Sequence, residues 1–240
     1  MLQACLNGSR SRSEHPAVPI SPPELAAAAR GAVDAGADEL HVHPRGADES
    51  DTLEPGPVAA AVAAIRERCP GVPLGLTTGI WAAGGDPDRR LEFIRGWEEL
   101  PDYVSANVGE PGFVELCSLV TSRGIGIEAG VWSPDDAATL GRSGVNGMRV
   151  LVEPADGESQ DQVEGARLIE RALRAAGVTA PQLHHGADRQ TWPVLAAAHE
   201  RGHDIRVGLE DTTVLPDGTR AQDNAELIAA AQPGRVILGG

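Results

Sequence analysis

The sequence predicts a (β/α)8 TIM barrel, with residues 1–240 forming one domain. Three observations predict it. Eight short apolar runs alternate with eight longer Ala/Leu-rich amphipathic stretches, the βαβα pattern of a parallel sheet. The length of 240 residues suits a barrel, which runs from about 200 residues upward around a typical ~250. Each apolar run also ends in polar side chains, which a barrel gathers at a single mouth.

The first strand, 2–6, leads to Asn7. Ser21-Pro22-Pro23-Glu24 then gives a capping residue, prolines in the first turn and a carboxylate at the third position, opening a helix over 22–36 that Gly36 ends. Strand 39–43 carries His41 and His43 and precedes a helix over 56–68. Strand 73–77 ends in Thr77-Thr78, and the cap-then-proline pair Asp86-Pro87 starts the helix over 86–98. Strand 103–107 ends in Ser105 and Asn107, followed by a helix over 112–122 that stops before Gly124. Strand 126–128 ends at Glu128, and Ser133-Pro134 opens a helix over 134–142. Strand 149–152 leads to Glu153, with a helix over 159–176 closed by Gly177. Strand 182–184 ends in His184-His185, ahead of a helix over 189–201. Strand 205–208 leads into Glu210-Asp211 and a last helix over 221–231. A doubly wound open sheet is the alternative arrangement of this pattern, but no GxGxxG or GxxxxGK turn supports it.

The formal charge of −15 argues against nucleic acid, which is bound by neutralising its phosphates. All 20 basic residues are arginine, and there is no lysine. Schiff-base chemistry, pyridoxal phosphate attachment and carbamylated-lysine metal bridges all need a lysine amine and are excluded. Carbanion chemistry on this chain therefore requires a metal or an oxyanion hole. Cys5, Cys69 and Cys117 are odd in number and lack CxxC spacing, as expected for reduced thiols. The opening MLQACLNG has neither a basic leader nor an apolar core, and no apolar run approaches the ~18 residues of a membrane helix. A cytoplasmic protein without a membrane partner is expected.

The two-residue period of a strand puts His41 and His43 on one face. Neutral imidazole is the commonest protein ligand for first-row transition metals. Two strand-end histidines that merely hydrogen-bond to neighbours are the competing reading. Glu210 on another strand favours the metal, because His2Glu leaves one coordination position open for water or substrate. Asp211, facing away from the metal side, suits a general base, with Arg206 holding it ionised. Glu128, buried at the mouth, needs a metal, an arginine or a substrate cation. Thr77, Thr78, Ser105 and Asn107 offer donors to substrate oxygens. Of His184 and His185 at most one looks inward, and His184 is assigned to the pocket. Trp81 and Trp132 are candidate walls.

HVHPR (41–45), LTTG (76–79), SAN (105–107), IEAG (127–130) and GLEDT (208–212) occur in an order that resembles the β-keto acid cleavage enzyme family. The N-terminal stretch from Asn7-Gly8 to His15-Pro16-Ala17-Val18-Pro19-Ile20-Ser21-Pro22 resembles it too. The resemblance implies a zinc-dependent barrel, usually a homotetramer, that converts a β-keto acid and acetyl-CoA into acetoacetate and a new acyl-CoA. It implies zinc ligands at His41, His43 and Glu210, and a base at Asp211 assisted by Arg206. Thr77, Ser105, Asn107 and Glu128 would line the pocket. Asp211, Arg206 and Glu128 are thus the catalytic candidates, and Asn7, Arg10, Thr77, Thr78, Ser105, Asn107 and His184 the substrate-binding ones. The chain is shorter than usual members. Its first loop, Gly8-Ser9-Arg10-Ser11-Arg12, is basic where a well-studied branch is acidic, so Arg10 and Arg12 are candidates to grip an anionic substrate or the CoA phosphates.

Two alternatives compete. A hydrolase of the amidohydrolase type also starts from HxH, but on strand one, with histidines ending strands five and six and an aspartate ending strand eight. Here HxH lies on strand two and glutamates stand at those later positions. The other alternative is a barrel that binds metal or a small molecule without turnover.

Overall fold

In the computed structural model, which describes residues 1–154 and 161–232, eight parallel strands close into a barrel in sequence order. The strands are β1 (Leu2–Cys5), β2 (Glu39–Val42), β3 (Leu74–Thr77), β4 (Tyr103–Asn107), β5 (Gly126–Val131), β6 (Arg149–Val152), β7 (Gln182–His184) and β8 (Asp204–Val207). The helices are α1 (Pro22–Asp34), α2 (Pro55–Arg68), α3 (Pro87–Arg95), α4 (Phe113–Ser122), α5 (Pro134–Ser143), α6 (Gln162–Ala175), α7 (Thr191–Glu200) and α8 (Asn224–Ala230). β1 closes the ring against β8, with Leu2 opposite Ile205 and Ala4 opposite Val207. Among the described residues no helix is long and apolar enough to cross a membrane.

The helix starts follow the local chemistry. Glu24 accepts the Ser21 backbone N–H at 2.8 Å, the carboxylate half of the capping box. That bond first, and then Arg12, holds the Glu24 carboxyl at about 2 despite the cost of burial. Asp86 caps α3 through the Asp88 and Arg89 amides, and Ser133 caps α5 through that of Asp136. The expected start of α6 at 159 lies outside the described residues. From Asp161, whose side chain accepts the Val163 and Glu164 amides, the helix is in place.

One strand corrects the expectation. β5 runs on to Val131 rather than ending at Glu128, so Glu128 is mid-strand and below the mouth.

Alternation divides every strand between two environments. Leu2, Ala4, Leu40, Val42, Leu74, Leu76, Val104, Ala106, Ile127, Ala129, Val150, Val152, Ile205 and Val207 join the apolar core beneath the helices. The opposite parity points into the barrel and is largely polar. Its lower layer joins Gln3, Tyr103, Glu128 and Arg149. Gln3 Nε2 donates to Tyr103 Oη at 2.9 Å and to Glu128 Oε2 at 3.1 Å. Arg149 Nε donates to Glu128 Oε2 at 2.6 Å, and Arg149 Nη2 bonds Glu39. This layer is a floor of paired charges, so the strand ends above it are free for chemistry.

Candidate metal centre

His41 and His43 rise from the end of β2 with ring centroids 5.3 Å apart. Their partner comes from the turn after β8. Glu210 Oε2 lies 3.9 Å from His41 Nε2, and Glu210 Oε1 lies 3.6 Å from His43 Nε2. Tetrahedral zinc with bonds of about 2.0–2.1 Å separates its ligand atoms by about 3.4 Å. Small rotations therefore suffice to bring all three onto one ion. Glu210 Oε2, the oxygen that faces His41 Nε2, is buried without a hydrogen-bond partner, which protein packing alone leaves unexplained. The residues fit a divalent transition metal.

The backbone is shaped around this carboxylate. Gly8 takes a left-handed φ of +53°, and a Cβ there would stand 2.4 Å from Glu210 Cγ. A side chain at position 8 is thus opposed by both conformation and contact. Arg206, inward on β8, donates from Nη2 to Glu210 Oε1 at 2.5 Å and to Asp211 Oδ1 at 3.1 Å. Burial works against the Glu210 carboxylate, yet Arg206, His43 and His41 together hold it well below the usual range. Burial, against the pull of Glu210, keeps the His41 imidazole well below its ordinary value.

The sequence reading missed Asp51. Its Oδ2 lies 3.0 Å from His43 Nδ1 and accepts the Trp81 indole N–H at 2.9 Å and the Ser9 hydroxyl at 2.5 Å. Arg45 Nε stands 3.2 Å from the other oxygen. A carboxylate behind a ligating histidine fixes its tautomer and turns the far nitrogen to the metal. Nothing in the local sequence marks Asp51; the loop returns it through an antiparallel bridge to Arg45. Asp51→Ala is expected to weaken the binding of a divalent transition-metal ion about 10–100-fold, read by titration against a chromophoric chelator. Unchanged affinity would remove Asp51 from the site.

Asp211 sits beside the centre, 3 % exposed, with Oδ2 free of any hydrogen-bond partner. His185 Nδ1 lies 3.1 Å from its Oδ1, and His185 Nε2 lies 3.2 Å from Glu153 Oε1. Burial and Arg206 disfavour charge on His185, but Glu153 and Asp211 raise it to about 9. Since that value exceeds the ordinary histidine value near ~6.5, the triad stabilises the fold fully below about pH 6.5 and less as pH rises through 9. The denaturation midpoint gap between wild type and His185→Gln should therefore shrink from pH 6 to pH 10. A gap that widens would contradict the charged imidazole.

Several expected substrate contacts have other places. His184 faces the helix layer and His185 the mouth, so the two exchange roles: Val152 pairs with His184 at the end of β7, and the next residue points inward. Asn7 is committed to backbone, taking the His43 N–H at 2.9 Å and donating to His43 O at 2.8 Å and Pro19 O at 3.2 Å; it positions His43. Thr78 donates to Ser105 O at 2.5 Å on the face opposite Thr77. Arg10 bonds Glu210 O at 3.1 Å, Asp188 at 2.5 Å and Glu14 at 3.3 Å, tying the first loop to the last. Glu128 lies in the floor, held by the arginine it required. The mouth itself is a cavity of about 180 Å³ bordered by Thr77, Ser105, Asn107, Glu153, Trp81 and Trp132 beside the His41–His43–Glu210 group. It has room for the head of a short acid.

The chain matches the family described as beta-keto acid cleavage enzyme over residues 1–179 and 152–234. It is 26 % identical over 250 residues to a 3-keto-5-aminohexanoate cleavage enzyme of Fusobacterium nucleatum subsp. nucleatum, covering 95 % of this chain and 88 % of that protein. It is 30 % identical over 255 residues to a 3-oxoadipate:acetyl-CoA acetyltransferase of Cupriavidus necator, covering 95 % and 86 %. Among solved structures, apo ObcA superposes with a TM-score of 0.71 at 18 % identity, over 90 % of this chain and 61 % of that one. A ternary complex of ObcA with a C4-CoA adduct and oxalate gives 0.71 at 18 %, over 90 % and 63 %. The chain thus spans about three-fifths of ObcA, and that likeness shows the barrel. With a match along its length and a mouth built from HxH and GLEDT, the protein belongs to the β-keto acid cleavage enzyme family.

Proposed function

We propose that the protein is a zinc-dependent enzyme that transfers between a β-keto acid and acetyl-CoA, giving acetoacetate and a new acyl-CoA. The carrying observation is the meeting of His41, His43 and Glu210 beside the unpartnered Oδ2 of Asp211. The activity named for the Cupriavidus relative supports acetyl-CoA as co-substrate. The absence of lysine excludes an amine-based route.

His41, His43 and Glu210 would hold the ion, which supplies Lewis acidity toward the keto oxygen and lowers the cost of the enolate. Asp211 Oδ2 takes a proton from the carbon between the two carbonyls. That carbon attacks the acetyl thioester and CoA thiolate leaves. The thiolate then attacks the original keto carbon, and the bond to the central carbon breaks. Asp211 returns its proton to that carbon, releasing acetoacetate. Protons and electrons balance with no further reagent. Ser105, Thr77 and Asn107 orient the acid, while Arg206 and His185 hold Asp211 through Oδ1.

The test is a panel of β-keto acids offered with and without acetyl-CoA to the zinc-loaded protein, with acetoacetate and acyl-CoA measured. Acetoacetate formation that requires acetyl-CoA is expected. Hydrolysis of esters, lactones or amides without CoA would replace this reading with a hydrolase.

A further inference from the structure

A second group of ligand-type side chains lies behind β7. Glu170 on α6, His184 on β7 and His203 just before β8 bring their ligand atoms within 4.8 Å of one another. Glu170 Oε1 is 3.8 Å from His184 Nε2 and 3.7 Å from His203 Nε2. These separations are close to those at the mouth, and near the about 3.4 Å of tetrahedral zinc ligands. We propose that Glu170, His184 and His203 form a second site for a divalent transition-metal ion, joining α6 to the β7–β8 edge of the barrel.

Three features bear on it. His184 is fully buried, and its Nδ1 has no hydrogen-bond partner while Nε2 has Gln182 Oε1 at 3.0 Å. Burial fixes the ring with Nε2 on the side of Glu170, where an ion would take the place of the Gln182 contact. Arg201 holds the Glu170 carboxylate from Nε at 3.0 Å and Nη2 at 2.7 Å, both to Oε1. This fixes the carboxylate's direction, as outer groups do for metal-ligating carboxylates, and an ion at Oε1 would share that oxygen with Arg201. Finally, the Glu170 side chain is only 11 % exposed, so its charge is withdrawn from bulk water beside the two rings.

The rings of His184 and His203 stack at 4.6 Å and 13°. An ion in the plane of both requires one ring to turn. His203 is the one free to do so, being partly exposed (side chain 23 %) where His184 is enclosed. Gln182 must at the same time release Nε2. The ion's role here is to staple rather than to react, since an ion bound only by the folded state stabilises it by mass action. His184 precedes His185, so the staple would also steady the strand end that supports Asp211.

The test is cobalt(II) stoichiometry by equilibrium dialysis, with elemental analysis, on wild type, His41→Ala, His203→Ala and the double variant. Two equivalents, one, one and none are expected. His203→Gln serves as a second probe, and circular dichroism confirms each fold. If His203→Ala and His203→Gln both fold and bind as much cobalt as wild type, the second site does not exist. A single wild-type equivalent lost on His203→Ala but kept in His41→Ala would uphold this site and overturn the mouth centre, so the two readings fail separately.

Discussion

Asp211→Asn is expected to lower kcat for β-keto acid cleavage by about 10²–10⁴-fold, the range for losing a positioned general base, with zinc content unchanged. The reason is geometric. Oδ1 is occupied by Arg206 and His185, each at 3.1 Å, and Oδ2 is buried with nothing bonded to it. Asparagine keeps the shape and can still present an oxygen to Arg206, so the scaffold survives. What disappears is the lone pair on the free edge. Steady-state kinetics with metal analysis of the same sample decide it, and a fully active variant would remove Asp211 as the base while leaving the metal centre intact.

His41→Ala is expected to release the mouth ion and reduce turnover by at least about 10³-fold, because Lewis-acid stabilisation is worth several kcal/mol and each ~1.4 kcal/mol is tenfold. His41 is the cleanest ligand to remove. Its Nδ1 has no partner, so truncation breaks no hydrogen bond that holds the barrel. Glu210→Ala should lose the ion too, but it also deprives Arg206 of a 2.5 Å partner and so confounds stability with ligation. Residual activity near wild type in His41→Ala, measured in chelator-treated buffer, would show that the reaction does not pass through this centre.

The barrel was legible because its signals are local. Cap-then-proline pairs started α3 and α5, and period-two apolar runs placed β4, β6 and β7 at their observed limits. His41 and His43 were legible for the same reason: two residues apart on a strand, they share a face whichever face that is. Glu128 was misplaced because its polar side chain was taken as the strand's end, whereas β5 continues through Gly130 to Val131. In fact a Cβ at position 130 would stand 2.5 Å from Asn107 Oδ1, so that glycine answers a packing need within a continuing strand. His184 and His185 were exchanged because β7 has only three residues, too few for the pattern to fix its parity. Asn7 and Thr78 have the right chemistry for a pocket, yet their hydrogen bonds run to neighbouring backbone, which no spacing reveals. Asp51 and Glu153 reach their histidines only through tertiary folding.

Anomalous X-ray scattering at the zinc absorption edge, from crystals of the zinc-loaded protein, is the most direct measurement. A peak is predicted at about 2.0–2.2 Å from His41 Nε2, His43 Nε2 and a Glu210 oxygen. No density among those three atoms in a fully loaded crystal, or imidazoles turned away from Glu210, would contradict the account.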